Sequence, residues 1–121
     1  GALVIWLGEV PDAPPPPEWG RWMRLHHVIG MRVEDPWERD GPAHEPLTVY
    51  DPMTGRLAWL RDNATTREKH TAWRAAREAR WRAWWPDPAD RLTVDMDGDP
   101  LEALALFLRA REKRGPVRGY R

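Results

Sequence analysis

The chain has 121 residues, 19 of them basic and 19 acidic, and a formal net charge of zero. That length fits one domain, and a zero balance gives no general argument for nucleic acid or a membrane surface as partner. The absence of cysteine excludes disulfides, thiol nucleophiles and cysteine zinc sites.

The predicted elements follow in chain order. Ala2 to Leu7 is a continuous apolar run of strand length and suits a strand buried on both faces. It is far short of the roughly 20 apolar residues a membrane span needs, so no membrane partner is expected and a cytoplasmic location is. Residues 8–20 form a proline-rich connector, in which Pro14 to Pro17 fix a stiff polyproline II spacer. Arg21 to Glu34 reads as strand material, with Trp22, Arg24, His26 and Val28 alternating against Met23, Leu25, His27 and Ile29. Gly30 marks a bulge or bend within it. Glu34 to Pro46 is a polar loop.

Leu47 to Asp51 and Arg56 to Leu60 flank Pro52-Met53-Thr54-Gly55. Proline pre-sets a turn and glycine supplies a positive φ, so the segment predicts a β-hairpin. Asn63, Thr65 or Thr66 then caps a long helix. It ends near Trp85, because the residue before Pro86 is driven out of the helical region. Arg91 to Met96 alternates as a strand. Asp99-Pro100-Leu101-Glu102 is a helix start, with an Asp cap and Pro at the first position. Leu101 to Arg114 is the second helix, Gly115 its stop, and 115–121 a loose basic tail. The expected fold is a single α+β domain over 1–121: a mainly antiparallel sheet of about five strands with two packed helices.

Nine tryptophans are present, and four of them, Trp73, Trp81, Trp84 and Trp85, lie in or at the end of the long helix. With about 100° per residue, Ala72, Ala76, Ala79 and Ala83 form one small-residue stripe that suits close approach to a sheet. Trp73 and Trp84 fall on its edge. Trp81 and Trp85 fall about 180° and 220° away, on the side of Arg67, Arg74 and Arg77. The sequence therefore predicts a contact face of Trp81, Trp85, Arg67, Arg74, Arg77 and Arg82, since Trp and Arg dominate interface hot spots and Trp also stacks on bases. The second helix carries a further apolar stripe, with Leu106 as its expected contact residue.

No catalytic set reads out. Asp95-Met96-Asp97-Gly98-Asp99 begins like a calcium loop, but the required Gly and Glu positions hold Pro100 and Leu106. A nuclease of the Asp…Glu-x-Lys type could start at Asp51, yet Arg56 to Leu60 lacks Glu and Lys, and Glu68 and Lys69 are adjacent. The chain has no serine, so a Ser/His/Asp site is excluded. No metal or cofactor is expected. Only Lys69 and Lys113 are lysines among the basic residues; with abundant Ala, Pro and Gly, this points to a GC-rich genome and a bacterial or phage source. The reading is a non-enzymatic, self-associating protein-interaction module, a homo-oligomer or the binder of a protein partner. The alternatives are a nucleic-acid-binding protein using the Arg/Trp face, and a small enzyme with a carboxylate/His site.

Overall fold

The computed structural model describes residues 1–41, 47–52, 54–60 and 63–113. Pro42 and Pro46 of the expected 34–46 loop, Met53 of the expected turn, and the expected helix end at Arg114, its Gly115 stop and the basic tail lie outside them. The elements are β1 (Leu3–Leu7), α1 (Trp19–Leu25), β2 (His27–Glu34), α2 (Pro36–Asp40), β3 (Leu47–Tyr50), β4 (Leu57–Leu60), α3 (Ala64–Trp84), β5 (Arg91–Asp95) and α4 (Pro100–Glu112), with a 3₁₀ turn at Pro88–Asp90.

Local chemistry sets the helix ends. Asn63 accepts the Thr66 amide at 2.9 Å and caps α3. Asp99 accepts the amides of Leu101 and Glu102 ahead of α4, with Pro100 as its first residue. Asp35 and Glu38 form a capping box on α2.

The sheet differs from the expectation. Three strands, in the order β1-β2-β5, form a wholly parallel sheet, and β3 and β4 form a separate antiparallel pair. A mainly antiparallel five-stranded sheet is thereby overturned, and so is the count of two helices. The reason lies at Trp19–Leu25, which is helix rather than strand. With a helix between β1 and β2, the chain returns to the starting end of the sheet and the two strands must run parallel. The long α3 serves the same purpose between β2 and β5. The two-residue alternation over Trp22 to Leu25 did not separate the periods, whereas Trp19 and Met23, one helical turn apart, both turn toward the core.

Alternation gives the sheet two distinct faces. Val4, Trp6, Val28, Gly30, Arg32 and Glu34 share the inner face, as the paired register of Val4 with Val28 and Trp6 with Gly30 requires. Both crossover helices cover this face: the core is Val28 with Trp81, Trp84 and Trp85, bordered by Val4, Trp6, Val10, Trp19 and Met23. Two crossovers of the same hand that step the same way across a sheet place their helices on one side. The outer face carries Leu3, Ile5 and Leu7 of β1, Ile29, Met31 and Val33 of β2, and Leu92 and Val94 of β5. Here α4 packs against β5, and its Arg111 reaches His27 Nδ1 at 3.2 Å.

Gly30 is not at a bulge. It pairs in register with Trp6 on one side and Arg91 on the other, and its missing side chain makes room for the Trp85 ring.

Candidate interaction surface

The long helix buries the face opposite to the one the Ala stripe suggested. Trp81 is 3% exposed and Trp85 0%, whereas Ala72, Ala75, Ala76, Ala79 and Ala83 all face outward. The expectation that Trp81 and Trp85 lie away from the core is corrected. An indole buries about 150–250 Å², so orienting the helix to cover the rings gains far more than covering a line of methyl groups. The rings also find polar partners. Trp85 Nε1 donates to the Val28 carbonyl at 3.2 Å, and Trp84 Nε1 to the Ala13 carbonyl at 3.1 Å. Trp81 and Trp85 pack at 4.8 Å between ring centroids, and the Arg32 guanidinium lies 5.0 Å above Trp81. Trp84 is buried as expected, but Trp73 is half-exposed, 6.5 Å from Trp37.

The arginines divide. Arg77 is buried and bridges three acids, Glu9 after β1, Glu34 at the end of β2 and Glu38 on α2. Its guanidinium is hydrogen-bonded to Glu9, 3.4 Å from Glu38 and 3.6 Å from Glu34. Burial works against its charge, but the Glu9 hydrogen bond and the Glu9, Glu38 and Glu34 carboxylates outweigh that and hold its pKa above the ordinary value. Arg74, half-exposed, lies 3.5 Å from the buried Glu34 and donates to the Arg39 carbonyl. Arg82 is exposed beside Glu78 at 3.8 Å, and Arg67 is exposed in the first turns of α3. The structure therefore joins Arg74 and Arg77 through Glu34, sets Arg77 over the Trp73 ring rather than over the buried Trp81 and Trp85, and leaves Arg67 and Arg82 exposed on the surface.

These acids lie at or just beyond the carboxyl ends of β1 and β2, where open parallel sheets bind ligands. Beside them Arg39, Asp40, His70, Thr71, Arg74, Ala75 and Glu78 line a cleft of about 450 Å³. Arg39 pairs with Asp40 at 3.1 Å and reaches Asp95 and Asp97 at 3.4 and 3.5 Å. The Arg39 hydrogen bond pulls the Asp40 pKa below its usual value. Every arginine at this edge already holds an acid of the same chain. Among the described residues, no group of three or more His, Asp or Glu is arranged to hold a metal ion.

The unsatisfied part of the surface is apolar and lies elsewhere. On the outer sheet face, Leu3 is 60% exposed, Ile5 49%, Leu7 68% and Val33 44%. Met96, just past β5, is exposed too. On α4, Leu106 is exposed, and Leu101 and Leu108 join it. Ala103, Leu104, Phe107 and Arg111 are the half-buried residues of that helix, so α4 spends one stripe on the protein and shows another. The β3–β4 hairpin adds exposed Tyr50, Leu57 and Trp59.

Sequence reasoning missed the β1 contribution because it read Ala2 to Leu7 as buried on both sides. The run does not show that β1 occupies a sheet edge whose outer face α4 does not reach. Among the described residues, no helix is long and apolar enough to cross a membrane. No protein-family model, no curated protein and no solved structure matches this chain.

Proposed function

We propose that the chain is a non-enzymatic protein-interaction module that self-associates, and that it docks through the outer sheet face and α4. The observation that carries this reading is the exposed apolar set Leu3, Ile5, Leu7, Leu101 and Leu106. Monomeric proteins rarely leave contiguous apolar patches larger than a few hundred Å² open to water. Leu106 keeps the contact role expected for it; Trp81, Trp85 and Arg77 act instead by holding the inner face rigid beneath the docking surface. The abundance of arginine over lysine supports a bacterial or phage source. A nucleic-acid reading would have to rest on Arg67 and Arg82 without the tryptophan pair, and an enzyme reading on a cleft whose charges are already paired.

The test is mass in solution across protein and salt concentration, with and without a short duplex. The expected result is a mass above the monomer at tens of micromolar that changes little with salt, because an apolar interface is weakly screened, and no response to DNA. A monomer throughout, with duplex binding that falls steeply as salt rises, would overturn it.

A further inference from the structure

We propose that a second copy of this chain pairs with β1 along its open edge, antiparallel and centred on Ile5, to give one continuous six-stranded sheet. The inference rests on the self-association reading above and names the element that carries it.

The backbone of β1 decides the matter before its side chains do. The Ala2 carbonyl accepts the His27 amide at 2.9 Å, and the Gly8 amide donates to the Met31 carbonyl at 3.0 Å. Backbone groups alternate in direction along a strand. Ala2, Val4, Trp6 and Gly8 therefore aim theirs at β2, and Leu3, Ile5 and Leu7 aim theirs away from it. β1 ends the strand order, and among the described residues nothing accepts or donates at that edge. The same three residues thus show water both their apolar side chains and their amide and carbonyl groups.

Natural edges are guarded by charge, proline, a bulge or a covering segment. Leu3-Val4-Ile5-Trp6-Leu7 has no charge and no proline, and its pairing with β2 is unbroken in register. The run is also self-complementary. About a two-fold axis through Ile5 and perpendicular to the sheet, Ile5 faces Ile5 of the second copy, and Leu3 faces Leu7 of the second copy. All are residues with outward backbone groups, so each opposed pair exchanges both of its hydrogen bonds. That geometry satisfies every open backbone group of the edge. It also sets the two Leu-Ile-Leu rows side by side on one face, where opposed Cβ atoms stand about 4.5–5.5 Å apart.

Four single variants test this on the full chain. The Ile5 amide takes no part in pairing with β2, so Ile5→Pro removes an edge donor while sparing the native sheet. Its mass should fall to the monomer with the melting curve retained. Because the chain has no cysteine, single thiols report register. Leu3→Cys mixed with Leu7→Cys should be joined by a short bifunctional thiol reagent. Leu3→Cys alone should not, since its copies would lie about 13 Å apart along the strands. A dimer that survives Ile5→Pro but dissociates with Leu106→Asp overturns the edge pairing and leaves self-association standing. A wild-type monomer at tens of micromolar overturns both. Should Ile5→Pro fail to fold, efficient linking of Leu3→Cys to itself, or none in the mixture, overturns the pairing by itself.

Discussion

The Cα of Gly30 lies flat against the indole of Trp85: a Cβ at Gly30 would stand 2.6 Å from the ring. The contact couples the middle of the central strand to the residue that caps the C-terminus of the long helix, and it fixes the height at which α3 sits on the sheet. Separations under 3.0 Å are not found for real Cβ atoms, and the obstacle is a fully buried ring. Gly30→Ala should therefore destabilise the fold by about 1–3 kcal/mol through overpacking, read as a lower denaturant midpoint at unchanged slope. A neutral result would mean that α3 can lift from β2.

The tryptophans of α3 should rank by burial. Trp81→Ala and Trp85→Ala each remove a buried indole and should cost about 3–5 kcal/mol. Trp84→Ala should cost nearly as much, and Trp73→Ala clearly less, because its ring is 41% exposed. Equilibrium urea melts of the four single variants check the order. Trp81 or Trp85 proving the mildest would restore the contact face that the helical wheel suggested.

Arg77 stands where a charge is expensive to strand. Its side chain is 3% exposed and that of Glu34 8%. Arg77→Met leaves Glu34 buried with Arg74, at 3.5 Å, as its one remaining cationic partner among the described residues. Removing one partner of a buried pair typically costs about 3–5 kcal/mol. The double variant Arg77→Met, Glu34→Gln should recover part of the loss, since it strands no charge. A thermodynamic cycle over the four proteins measures the coupling.

Asp40 sets a small pH dependence with a defined sign. The hydrogen bond from Arg39 lowers its folded pKa, so the unfolded chain binds the proton more readily. The contribution is whole above the unfolded value of about 3.9 and is lost as pH falls through the lower folded value. Arg39 remains charged throughout, its own pKa being raised by Asp40 and Asp97. Carboxyl titration by NMR should place Asp40 below an ordinary Asp, and Arg39→Ala should move it back up. An unchanged midpoint in that variant would remove Arg39 as the cause.

Much of the local structure was legible in the chain. The hairpin over Leu47–Leu60, the helices after Asn63 and Asp99, and the strand at Arg91 stand where the sequence predicts them, because turns and caps are short-range chemistry. An α+β chain of this length with no cysteine must build its stability without disulfides, and nine tryptophans supply much of the apolar surface it buries. Tertiary structure decided the rest. Trp19–Leu25 carries an alternation too short to separate the strand and helix periods, and that one element turns the sheet from antiparallel to parallel. The helical wheel of α3 offers an alanine stripe and a tryptophan side equally. Only the gap over Gly30, with Val28, Val4 and Trp6 around it, shows that the sheet receives the rings. The apolar run of β1 likewise cannot say whether both of its faces are covered. That depends on strand order and on where α4 lands, and both are set by contacts between residues far apart in the chain.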